Sequence, residues 1–77
     1  MRALSGPAEG DLSEGTRVGR FLVLCDIDGR RHAVLAGAVQ VACEQEDGDT
    51  VVFLPGGRAI RVGVPLATLL GWLDGRS

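Results

Sequence analysis

Lysine is absent from this chain: all eight basic residues are arginine. Chemistry that runs through a lysine amine, such as a Schiff base or the phosphate-gripping lysine of a P-loop, is therefore excluded. Tyrosine is absent too, and the aromatics are Phe21, Phe53 and Trp72 alone. One histidine, His32, and two cysteines, Cys25 and Cys43, without a Cys-x-x-Cys spacing fall short of the four ligands of a structural zinc site. The two thiols are expected to be buried as small hydrophobes. No apolar run approaches the ~18 residues of a membrane-spanning helix, and the N-terminus lacks the apolar stretch of a signal peptide. A soluble, cytoplasmic protein is the expectation. A net charge of −2 and a pI near 5.1 argue against bulk attraction to nucleic acid or to anionic membranes.

What is present is a short, ordinary globular composition: 77 residues, 45% of them hydrophobic, enough for one small domain. The exclusive use of arginine beside many Ala, Gly, Val and Leu residues points to a GC-rich bacterial or phage genome. Residues 1–16, MRALSGPAEGDLSEGT, have no apolar period and are expected to form a flexible leader to a single domain over 17–77. From Arg20 the pattern changes. FLVLC ending in Asp-x-Asp-Gly predicts a strand entering a hairpin, and RRHAVLA predicts its return. VQVACEQ alternates, with Val39, Val41 and Cys43 on one face and Gln40, Ala42 and Glu44 on the other. TVVFL and RAIRV follow, separated by Pro55-Gly56-Gly57. In PLATLLGWLDG, Leu66, Leu69, Leu70 and Leu73 recur at i, i+3, i+4 and i+7, one stripe of a helix that opens at Pro65 and stops at Gly75. The expected fold is mainly β (α+β): a five-stranded antiparallel meander covered by one C-terminal amphipathic helix.

Two stretches mimic catalytic or metal motifs. FLVLCDIDGRR resembles the first motif of haloacid-dehalogenase-like phosphatases, which would make Asp26 the nucleophile and Asp28 the acid/base. The chain departs from that family at Arg30, where Thr or Val is usual, and it has no lysine for the later motif. CEQEDGDT offers four carboxylates around Gly48, but a calcium loop counted from that glycine puts Cys43, Gln45 and Leu54 at positions 1, 3 and 12. Both stretches read as hairpin turns. His32 lies in a strand next to Arg31 and reads as a sheet histidine rather than part of a Ser-His-Asp or Cys-His arrangement, and the Gly56-Gly57 pair is a turn without a phosphate-binding lysine. No enzyme activity, cofactor or metal is expected.

The charges carry the remaining information. In an up-and-down meander alternate turns share an end, which gathers Asp26, Asp28, Glu44, Glu46, Asp47 and Asp49 into one acidic rim. These acids are solvated turn residues on one reading and a docking surface for an Arg/Lys-rich protein on the other. Trp72, at the margin of the leucine stripe, is the second candidate, because half-buried tryptophans serve as interface anchors. With so small a core, a homodimer formed through an exposed strand or this helix edge is also expected.

Residues 20–73 resemble two families in shape. The Asp28-Gly29 turn, VQVACE at 39–44 and DTVVFLPGG at 49–57 are similar to FlbD/SwrD-type flagellar accessory proteins. Asp49 to Leu54, Gly57-Arg58 and Leu66 to Leu73 resemble the first half of LytTR domains, although the basic half that reads DNA has no counterpart here. The resemblance implies a shape and no functional residue. The functional expectation is a non-enzymatic binding protein, a small inhibitor or adaptor of phage or mobile-element type. Anti-CRISPR proteins exemplify the class, blocking a nucleic-acid-handling complex through a surface rather than touching nucleic acid directly. The alternative is an FlbD-like or other bacterial regulatory module.

Overall fold

The computed structural model describes residues 12–75. Residues 1–11, most of the expected leader, lie outside the described residues.

The five expected strands form, and a sixth precedes them. In chain order they are β1 (Arg17–Val18), β2 (Phe21–Cys25), β3 (Arg31–Leu35), β4 (Val41–Glu44), β5 (Thr50–Leu54) and β6 (Arg58–Val62), followed by the helix α1 (Leu66–Asp74). They do not make one meander. The strands divide into two antiparallel three-stranded sheets, β1-β2-β3 and β4-β5-β6. The break falls after β3, where Ala36–Ala38 coil into a 3₁₀ turn. The Ala36 N–H turns back to the Arg20 carbonyl of the first sheet, whereas the Gln40 N–H already bonds to the Phe53 carbonyl of the second. The chain is thus tied to one sheet before this connection and to the other after it, and β4 never runs beside β3.

One core serves both sheets. Leu22, Leu24 and Val34 face Val52, Ile60 and Val62, with Leu69 of the helix completing the cluster. Among the described residues, a backbone joint links the sheets at one end. Asp26 pairs with Val62 in an isolated antiparallel bridge, and the Ile27 N–H donates to the Arg61 carbonyl at 3.0 Å.

Strand β4 presents the face opposite to the one its alternation implied. Ala42 pairs with Val52, which pairs with Ile60, and this row packs into the core. Val41, opposite Phe53, and Cys43, opposite Val51, therefore point outward: Val41 is 53% exposed and Cys43 is exposed rather than buried. A one-residue step exchanges the two faces of a strand, and the burial of Val52 decides which face goes in.

The helix buries Leu69 fully and Leu73 and Trp72 in part, while Leu70 is half exposed. Trp72 occupies the core side at the margin of the stripe, and that rotation turns Leu70 outward. The ends of α1 are held from elsewhere in the chain. Glu44 Oε2 accepts the Leu66 N–H at 3.3 Å. At the other end Gly75 adopts the left-handed conformation (φ 76°), and the Arg17 guanidinium donates to the Trp72 and Leu73 carbonyls. A carboxylate at the N-terminus and a guanidinium at the C-terminus both complement the helix dipole.

The stretch before β1 extends the first sheet. The Gly15 N–H and Thr16 carbonyl bond to Val23, and Glu14 Oε2 accepts the Cys25 N–H. Among the described residues, no helix is long and apolar enough to cross a membrane.

Candidate functional site

The joint between the sheets brings the two acidic turns to one end of the molecule. In the first turn, a short strand ends and Asp26 folds the chain around its own carboxylate. Asp26 Oδ1 accepts the N–H groups of Asp28 and Arg30, both at 2.9 Å, and Oδ2 lies 2.8 Å from His32 Nε2. The His32 hydrogen bond, followed by the Arg30 N–H, holds the Asp26 carboxyl below its ordinary pKa. Both oxygens of Asp26 are thereby engaged in shaping the turn.

The second turn closes by a Gln45 N–H to Asp49 carbonyl bond of 2.7 Å, with Asp47 Oδ1 accepting the Asp49 N–H. Its outer carboxylates converge on Arg61 of β6. The Arg61 Nε donates to Asp49 at 3.1 Å and a terminal guanidinium nitrogen donates to Asp47 at 2.6 Å. The backbone N–H of Asp49, then Arg61, lowers the Asp47 pKa. The hydrogen bond to Asp49, then the charge of Asp47, raises that of Arg61.

Because Ile27 bonds to the Arg61 carbonyl, the two turns meet at that arginine. Asp26, Asp28, Asp47 and Asp49 are assembled here, with Glu46 exposed on the outer turn. Between them Ile27 stands 58% exposed, the most exposed large hydrophobic side chain among the described residues. A depression of about 320 Å³ lies alongside, lined by Asp26 to Asp28, Arg30, His32 and Ala59 to Arg61. An apolar knob flanked by Asp26 and Asp28, with Arg30, His32 and Arg61 lining the same depression, is a polar-rimmed contact suited to a partner that offers an apolar socket.

The two other candidates are placed differently. Glu44 directs its carboxylate to the start of α1. Trp72 packs against the core, and its indole lies over Gly15, so close that a Cβ there would sit 2.6 Å from Trp72 Cε2. Neither shares in the Arg61 cluster. Among the described residues, no group of three or more His, Cys, Asp or Glu side chains is arranged to hold a metal ion.

No protein-family model, curated protein or solved structure matches the chain.

Three residues of this end have no motif in the sequence: Ile27, His32 as a partner of Asp26, and Arg61. The signal for Arg61 was present in the spacing. A hairpin turning on Pro55-Gly56-Gly57 places Val51 opposite Arg61, so Asp49 falls diagonally beside it. Ile27 carries no such signal, because an apolar residue within a turn reads as the end of the strand before it.

Proposed function

We propose that the protein is a non-enzymatic binding protein, a small cytoplasmic inhibitor or adaptor that docks its acidic end on a basic protein surface. The observation that carries this reading is the meeting of the two acidic turns at Arg61, with Ile27 exposed between Asp26 and Asp28. The partner that fits is a protein whose basic surface ordinarily grips nucleic acid, as in a phage-encoded inhibitor of the anti-CRISPR type. The carboxylates supply steering and register, and burial of Ile27 supplies the contact that excludes water.

The inner acids are poor places to test this. Asp26, Asp47 and Asp49 each hold backbone or Arg61, so changing them disturbs the fold as well as the surface. Asp28 and Glu46 are exposed and better suited. Immobilised protein is expected to retain a nucleic-acid-processing complex from a bacterial lysate at low salt and release it as salt rises. A protein carrying Asp28→Arg, Glu46→Arg and Ile27→Asp should retain none of it. Equal retention by this variant, with an unchanged circular dichroism spectrum, overturns the reading.

A further inference from the structure

A second surface, on the outer face and edge of the first sheet, has the opposite character. Strand β3 ends that sheet, with no strand on its far side among the described residues. Val23 bonds through its backbone toward residues 15 and 16, so Leu22 and Leu24 are the β2 residues whose backbone groups face β3. Their partners are Val34 and His32, which leaves the N–H and C=O groups of Ala33 and its alternate neighbours directed away from β2. That edge borders an open depression of about 280 Å³, with Leu54, Pro55, Arg58 and Ile60 on its other side.

The face beside the edge is apolar. Phe21 and Leu35 pair across β2 and β3 and are 44% and 46% exposed, next to exposed Ala33. On the other flank Phe21 and Ala33 also line a groove of about 780 Å³ with Val18 and Val23. Arginines line the rim: Arg58 the first depression, Arg30 the groove beside Arg31, whose guanidinium also holds the Leu12 carbonyl, and Arg20 the hollow at the far end of Leu35 beside Arg17, which holds the helix end. Among the described residues no carboxylate lines any of the three.

We propose that this edge is a peptide-docking site that takes an extended segment alternating apolar and acidic residues, added as a further strand beside β3. Backbone groups of the β3 edge would pair with the segment, its apolar side chains would cover Phe21 and Leu35, and its carboxylates would meet the arginine rim. A nucleic-acid strand fits less well. Among the described residues Phe21 is the only phenylalanine or tryptophan lining these hollows, so successive bases have no stacking platform there, whereas a strand edge offers a peptide its own hydrogen-bond pattern. This site adjoins the acidic end at Arg30 and His32, which line both, but the proposal does not rest on what that end binds.

The test uses the full chain, ¹⁵N-labelled, with three probes: a short synthetic peptide of alternating valine and glutamate, its valine-lysine counterpart, and oligo-dT. The expected result is saturable binding of the glutamate peptide, with chemical-shift changes and slowed hydrogen exchange centred on the amides of Ala33 and Leu35. Arg20→Glu together with Arg58→Glu, both exposed, should weaken it by about tenfold or more while leaving the spectrum of the free protein folded. Absence of binding, equal binding of the lysine peptide, shifts that map away from β3, or binding of oligo-dT in place of the peptide would each overturn the proposal.

Discussion

Asp26 serves the turn and the joint at once: its carboxylate holds two backbone N–H groups and the His32 ring while its backbone bridges to Val62. Its pH behaviour follows. A carboxyl group whose pKa lies lower in the folded than in the unfolded chain binds its proton less readily when folded. Its contribution is therefore complete above the ordinary value of 3.8 and disappears as pH falls through the lower, folded value. Asp47 acts in the same direction. The melting temperature should fall as the medium is acidified below about pH 4, and Asp26→Asn should lower it at neutral pH while flattening the acid limb. A limb of unchanged steepness in Asp26→Asn would show that other carboxylates set the acid sensitivity. Thr50 is a second single-residue device, a fully buried hydroxyl donating to the Val64 carbonyl at 2.8 Å, between the sheet and the helix entry. Thr50→Val keeps the shape and leaves that carbonyl without its donor. It should cost about 1–3 kcal/mol in urea unfolding, and a loss near zero would mean that the carbonyl regains a partner.

At the scale of elements, the strands were legible and their assembly was not. FLVLC, TVVFL and RAIRV declare themselves through apolar content and the Asp-Gly and Pro-Gly-Gly turns between them. Ala36-Gly37-Ala38 looks like any short connection, and nothing local reveals that Ala36 and Gln40 bond to different sheets. In β4 the apolar parity misleads, because Val41 and Cys43 outrank Ala42 in hydrophobicity while the row through Val52 places the alanine inside. The acidic end was legible only as far as turns sharing an end could be counted. The Arg61 clamp was readable only once the Pro55-Gly56-Gly57 turn was taken to set the register of β5 and β6, and the exposure of Ile27 needed the joint. The attachment of the helix was hidden for the same reason, since Gly15 reads as part of a leader. Gly15 has φ 92° and no room for a Cβ beneath the indole of Trp72. Gly15→Ala should displace that ring and cost about 1–3 kcal/mol. Trp72 is the sole tryptophan and tyrosine is absent, so a red shift of the intrinsic emission reports the displacement directly. Emission and stability both unchanged would mean that the 12–16 stretch does not pack on the helix in solution.

For the molecule as a whole, two small sheets and one short helix raise the question of how many cooperative units there are. Neither sheet encloses a core alone: Leu22, Leu24 and Val34 are buried because Val52, Ile60, Val62 and Leu69 lie against them. The joint at Asp26 and Val62 and the Arg17 bonds to the helix end tie the same parts together through polar groups. Separating the sheets would therefore expose the apolar faces of both at once, and a half-open state has no core to hold it. One transition is expected, with Trp72 fluorescence, which reports the helix and the first sheet, superimposing on far-ultraviolet circular dichroism, which reports all strands. Leu24→Ala in the first sheet and Ile60→Ala in the second should each remove about 2–5 kcal/mol. That is a large part of the roughly 5–15 kcal/mol typical of a folded domain. Each should also shift both signals by the same amount, because the cavity opens in a shared interior. Two separated midpoints, or a substitution that moves one signal and leaves the other in place, would mean that the sheets fold as independent units and that the joint is a hinge rather than a seam.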